Sequence, residues 1–259
     1  MIQNNGASPE LVKFDPAIIA RPPHSLDLYR AKHSVKQSIC QDCRFQDLCL
    51  SRGLNEKGLE ALGKAINPSK VLKKGQHLHR QDDGFSSIYF IRSGSVKSYI
   101  NNAEGHEVAV SFFLPGETIG LDGLYNKKHS SSVVALEDTF FCEMPFTELE
   151  KLVSVRPLLQ RHLNELLSRQ IVQEQSVTIL RGQKTAADRV LVFLHSMSER
   201  YARIRLSSRS FRLPMTRKDI AGCLGLTIET VSRQFSQFQE LGWIEVNGRD
   251  VKLKNLPEL

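Results

Sequence analysis

The stretch CQDCRFQDLC, Cys40 to Cys49, puts three of the chain's five cysteines within ten residues. The spacing is Cys-x2-Cys-x5-Cys. Thiolates are soft ligands that suit zinc and iron–sulfur clusters, and both ordinarily take four protein ligands. Three thiolates are therefore an incomplete site. Two residues are candidates for the fourth position: His33, close in sequence, and Cys142, distant but at the end of an expected strand. A zinc knuckle more often offers two close ligand pairs, and here the second pair is missing. The odd count excludes a complete set of internal disulfides, and clustered cysteines outside a secretory context point to a metal or redox centre. Cys223 falls inside an expected helix and reads as a small buried apolar residue.

A second set of residues suits another chemistry. MTRKDIAGCLGLTIETVSRQFSQFQELGWIEVNGRDVKL, Met215 to Leu253, reads as helix, turn, helix, hairpin. Thr216 caps the first helix with Asp219 three residues on, as in a capping box. Ala221 is small where a second helix must cross. Gly225 fits a turn that needs positive φ, and Thr227 caps the second helix, whose Val231 and Phe235 face inward. Glu229, Ser232 and Arg233 then share the outer face near the start of that helix, where a recognition helix meets base edges. Arginine can give two bonds to guanine, and glutamate can accept from cytosine N4. Arg217 and Lys218 are placed to touch phosphates, which adds affinity without sequence information. Asn247–Gly248 predicts a type I′ turn between two wing strands.

The elements that must position these groups follow from the rest of the chain. With 259 residues and 41% hydrophobic content, the chain has room for more than one core. The formal charge of +7 favours a polyanionic partner, though weakly. There is no apolar run of membrane length and no apolar stretch at the start of the secretory kind, so the cytoplasm is expected. Residues 1–38 are rich in Pro, Asn, Ser and His and are expected to be a flexible leader. LNEKGLEALGKAI predicts a helix capped by Asn55. From Val71 to about Met144, short apolar runs alternate with turn signals, predicting an antiparallel barrel or sandwich. A long helical segment follows, with Pro157 in the first turn of a new helix. Leu163, Leu167, Ile171 and Glu174 draw a stripe along one face, which is either core or a dimer seam.

From Cys40 onward the chain resembles the FNR branch of the cyclic-AMP receptor protein superfamily. CQDCRFQDLC resembles that branch's cluster motif, IRSGSVKSY its barrel, ALEDTFFCEMPF its fourth-cysteine segment and LGLTIETVSRQF its recognition helix. The resemblance implies an α+β fold. Its parts are an iron–sulfur loop and antiparallel β-roll sensor domain over 39–145, a dimerisation helix over 146–182, and a winged helix-turn-helix DNA-binding domain over 183–259. It implies a 4Fe–4S cluster on Cys40, Cys43, Cys49 and Cys142 that supports a DNA-binding homodimer and is converted to 2Fe–2S by oxygen. It also implies base reading by Glu229, Ser232 and Arg233 on TTGAT inverted repeats, contact with RNA polymerase, and a dimer switch at Leu167, Ile171 and Glu174. Glu174 stands where the family usually has Asp. A symmetric seam would bring two copies of Glu174 together, and an intact cluster is expected to repack the cysteine loop against the helix near Ile171.

Two other functions compete. Cyclic-nucleotide binders of this superfamily present Gly-Glu for the ribose and an Arg before Ser or Thr for the phosphate. Gly116 and Glu117 are present, but NKKHSSSV has no Arg before Ser130 or Ser131, so cyclic-nucleotide binding is not expected. Some DNA-repair glycosylases also carry a Cys-x2-Cys-x5-Cys cluster run. Theirs has another cysteine seven positions earlier, where this chain has His33, and normally follows the catalytic domain. A non-enzymatic regulator is therefore expected.

Overall fold

The computed structural model describes residues 40, 41, 43–102, 104–183 and 185–257, all in one compact unit. The expected leader over 1–38 and His33 lie outside the described residues. Helix α1 (Glu56–Ala65) begins at Asn55, whose side chain accepts from Gly58 N at 2.9 Å, and it buries Leu59 and Leu62.

Eight strands then form the roll: β1 (Asn67–Leu72), β2 (His77–His79), β3 (Ser87–Ser93), β4 (Val96–Asn101), β5 (Glu107–Phe113), β6 (Thr118–Ile119), β7 (Ser132–Ala135) and β8 (Thr139–Pro145). They make two four-stranded sheets, ordered β1-β8-β3-β6 and β2-β7-β4-β5. Gly94, between β3 and β4, has φ +82°, and a Cβ there would sit 2.5 Å from Asp138 O. Only glycine makes this turn at no steric cost.

Side chains alternate across a strand, and in β3 and β8 both faces are buried. Tyr89, Ile91 and Phe141 belong to one core, with Val96, Ile119 and Val133. Ile88, Phe90, Cys142 and Met144 belong to another, shared with Cys40, Leu50, Leu59, Leu149, Leu159 and Leu163. Helix α2 (Phe146–Val155) and the first turns of α3 (Pro157–Gln183) supply the last three. Farther along α3, Ile171 and Val172 are each 58% exposed.

Helix α4 (Ala186–Arg203) opens with a capping box of Thr185 and Asp188. Then come β9 (Ser210–Arg212), α5 (Arg217–Leu224), α6 (Ile228–Glu240), β10 (Ile244–Asn247) and β11 (Asp250–Leu253). The small sheet is ordered β10-β11-β9. The wing turn lies one residue later than expected. Asn247 pairs with Asp250, so Gly248 and Arg249 form the two-residue loop. Of the two only Gly248 has positive φ, which fits a II′ turn rather than I′. The core of this region joins Val190, Leu194 and Met197 to Ile220, Val231, Phe235 and Phe238, and it includes Ala109 and Phe112 of β5. Among the described residues, no helix is long and apolar enough to cross a membrane.

Candidate metal centre and nucleic-acid interface

Cys142 follows Phe141 on β8. Because Phe141 points between the sheets, Cys142 points out of the roll, into the core that also holds Cys40 and touches Cys49. Cys40 and Cys142 are buried, whereas Cys43 and Cys49 are half-buried. A 3-10 turn, Gln46–Leu48, shapes the loop, with Gln46 N donating to Cys43 O at 3.0 Å. Phe45 and Leu48 seat it on the roll at Gly116, where a Cβ would come 2.9 Å from Leu48 Cδ1.

The four thiols feel one another. Burial first, then repulsion from Cys49, Cys142 and Cys43, pushes Cys40 up to about 12. Cys49 is pushed up to about 12, chiefly by burial, with Cys142 and Cys43 adding to it. Cys142 rises to about 11, again mainly by burial; the Arg92 guanidinium opposes this and Cys43 adds to it. Such thiols are protonated at neutral pH when no cation is near. A bound metal reverses this balance by compensating all the thiolates at once.

The loop is also tied to the long helix. Leu50 O can only accept, so His162 Nδ1 donates to it, at 3.1 Å in a buried site. Arg52 pairs with Glu165 one turn farther along α3. The loop thus meets α3 at His162 and Glu165, about two turns before Ile171. Leu167 packs against the roll-side core. Ile171 and Glu174 are exposed, and Gln170 Nε2 donates to Glu174 Oε1 at 3.1 Å. The stripe is therefore core at Leu163 and bare at Ile171.

In the DNA-reading unit, both capping-box bonds of Thr216 and Asp219 are made, and Gly225 has φ +63°. Thr227 accepts from Thr230 N at the start of α6. Val231 and Phe235 are buried, and Glu229, Ser232 and Arg233 are exposed. Backbone N–H, then Thr227, hold the Glu229 carboxyl below its usual range. Lys218 is exposed. Arg217 is half-buried, with its guanidinium 3.5 Å over the Phe235 ring, so it is partly committed to packing. Cys223 is buried, as expected, and its Sγ donates to Val110 O of β5 at 3.4 Å.

Two ion pairs between roll and reader had no sequence signal. Arg200 of α4 is 7% exposed; its Nε donates to Glu117 Oε1 at 2.7 Å, and its Nη2 to Glu117 Oε2 at 2.5 Å and to Phe112 O at 2.6 Å. Lys97 Nζ of β4 meets Asp219 Oδ1 at 2.7 Å. Glu117, the residue of the Gly-Glu pair, is thus already engaged by a guanidinium. Gly222 lets α5 approach β5 closely, since a Cβ there would lie 3.2 Å from Ala109 N.

A β-roll joined through a long helix to a winged helix-turn-helix defines a class: transcription regulators of the cyclic-AMP receptor protein superfamily, which bind DNA and are not enzymes. Residues 69–156 match the family model described as cyclic nucleotide-binding domain, and residues 188–259 the Crp-like helix-turn-helix domain. The chain is similar to the anaerobic regulatory protein of Haemophilus influenzae, 40% identical over 217 residues, 84% of each chain. It is 39% identical over 216 residues to the fumarate and nitrate reduction regulatory protein of Yersinia pestis, covering 83% of this chain and 86% of the relative. The solved structure of FixK2 from Bradyrhizobium japonicum superposes with a TM-score of 0.68 at 29% identity, covering 73% of this chain and 93% of that one. The chain belongs to the FNR family of transcription regulators within that superfamily.

Proposed function

We propose that this regulator is gated by oxygen through a 4Fe–4S cluster held by Cys40, Cys43, Cys49 and Cys142. The observation that carries the reading is the convergence of these four thiols, from a loop and a strand about a hundred residues apart in sequence, into one mostly buried and mutually repulsive group. A zinc knuckle more often offers two close ligand pairs, and here one close run is completed by a single distant thiol, which suits a cluster better.

Bound there, a cluster would supply an oxygen-labile tie between the loop and β8. The chain's own bonds carry the state of the loop onward. Leu50 O on His162, and Arg52 on Glu165, set the position of the loop against α3. The bare face at Ile171 and Val172 packs on a second copy, and Glu174 meets Glu174, so that association is finely balanced. In the dimer Glu229, Ser232 and Arg233 read TTGAT half-sites, Lys218 and Arg217 sit near phosphates, and another surface contacts RNA polymerase. The protein acts in the cytoplasm as an activator or repressor under low oxygen. A cyclic nucleotide is not its effector, since Glu117 is bonded to Arg200 and the 126–133 loop offers no arginine.

Anaerobic purification tests this directly. The expected result is about four iron and four acid-labile sulfide per chain, with specific DNA binding that is lost on exposure to air. Stoichiometric zinc with air-stable binding would replace the cluster by a structural metal.

A further inference from the structure

The roll carries a second group of ligands, remote in sequence from the cysteine loop. His79 ends β2, Asp122 lies in the 3-10 turn Leu121–Gly123, and His129 precedes β7. Their ligand atoms all lie within 4.8 Å of one another. His79 is 8% exposed and His129 3%, and the two rings stack with centroids 3.5 Å apart. Both ring nitrogens of His79 are buried and make no full hydrogen bond; the Ser131 backbone approaches one outside bonding geometry. An imidazole buried with neither nitrogen satisfied costs free energy that a ligand would recover.

The surroundings fix the other two ligands. Asp122 Oδ2 accepts from Ser130 N at 2.9 Å and from Ser130 Oγ at 3.1 Å, and Oδ1 faces His129 Nδ1 at 3.3 Å. His129 is clamped through its backbone: Asp82 N donates to His129 O, and His129 N to Asp83 O, both at 2.9 Å. Asp82 and Lys127, which flank this clamp, are two of the three described non-glycine residues at positive φ. Such strain persists only where the surroundings over-determine it, and it gathers at functional sites.

From these observations we infer that His79, Asp122 and His129 form a binding site for a divalent transition-metal ion of the zinc class. Two imidazoles and a carboxylate are a donor set zinc commonly takes, with a fourth position left for water. The Asp122 side chain, 26% accessible, gives the ion a route in. Ligands on one tetrahedral ion stand about 3.4 Å apart. The stacked His79 ring must therefore turn to aim a nitrogen, a motion that breaks no hydrogen bond. The ion would cross-link β2 to the turn after β6 and the loop before β7, bracing the roll independently of the cysteine centre.

The test removes the competing thiols. The full chain carrying Cys40→Ser, Cys43→Ser, Cys49→Ser and Cys142→Ser is dialysed against Zn²⁺, and bound metal and thermal midpoint are measured. One equivalent is expected, with a raised midpoint. Adding His79→Phe, which keeps the ring stack, should weaken binding more than about 100-fold, beyond the loss usual for an outer-shell partner, and abolish the midpoint shift. Asp122→Asn, which still accepts from Ser130, should weaken it as well. The inference is overturned if the background takes up no zinc, or if uptake is the same with and without His79→Phe, as adsorption elsewhere on the chain would give.

Discussion

Replacing Arg200 by methionine tests the joint between roll and reader. The substitution keeps a long apolar stem and removes a guanidinium that makes three bonds of 2.5 to 2.7 Å. Glu117, whose side chain is only 19% exposed, is then left with the Leu114 amide as its remaining hydrogen-bond partner among those resolved. A carboxylate stranded in this way is the costly case, about 3–5 kcal/mol for a buried pair broken on one side. An exposed pair would lose about 1 kcal/mol or less. In a body of this size each kcal/mol lowers the melting midpoint by about 2–4 °C, so a fall of roughly 10 °C is expected by calorimetry. Combining Arg200→Met with Glu117→Gln should recover part of the loss, since an amide needs no countercharge. If Arg200→Met melts within about 2 °C of wild type, or if Glu117→Gln gives no recovery in its presence, the pair does not hold the two parts together.

The remaining predictions concern the other sites. Cys142→Ser should yield anaerobic protein without iron or acid-labile sulfide, whereas Cys223→Ser keeps both; full iron in Cys142→Ser removes Cys142 from the ligand set. Arg233→Ala and Glu229→Ala should each cost about 1–3 kcal/mol on the preferred base pair and little on random duplex; equal losses on both duplexes would leave them no reading role. Glu174→Ala should sediment as a dimer in air and bind DNA without a cluster; if it stays as monomeric as wild type, Glu174 is an ordinary surface charge. Burial raises the Asp219 pKa, but bonds from Lys97 and Thr216 outweigh this and hold it below the usual range. The stabilisation it provides is therefore present above the unfolded carboxylate value, about 3.9, and is lost as pH falls through the lower folded value. Lys97→Met should be less stable than wild type in urea at neutral pH, with the gap closing in acid; a gap independent of pH would refute the pairing.

What the sequence made legible was local. Asn55, Thr216, Asp219 and Thr227 act within three residues of themselves, and Gly225 is required by one turn, so their roles are written where they stand. Cys142 was expected at the end of a strand, but that it faces away from Phe141 and out of the roll followed only from the folded sheet. The wing turn slipped by a residue because Asn247–Gly248 and Gly248–Arg249 are both plausible turn pairs, and strand register chose between them. The stripe on α3 has one period, but the roll covers only its first turns, so a single pattern serves as core at Leu163 and bare surface at Ile171. Arg200 and Glu117 lie 83 residues apart, and Lys97 and Asp219 lie 122 apart. No spacing rule reaches that far, and only the tertiary fold matched these charges. His79 was hidden for a similar reason, since its companions come from two other loops.

The Lys97–Asp219 contact has an understudy on each side. Were the reader to swing away, Asp219 would still accept from Thr216 N at 2.9 Å and Thr216 Oγ1 at 2.6 Å, so α5 keeps its cap. Lys97 already stands 3.6 Å from Glu107 on the neighbouring strand. Neither of these two charges would be orphaned by separation. The joint at this point behaves as a catch that releases without damage. Parting the reader from the roll therefore meets its main resistance elsewhere, at Arg200 and in the shared apolar packing around Phe112.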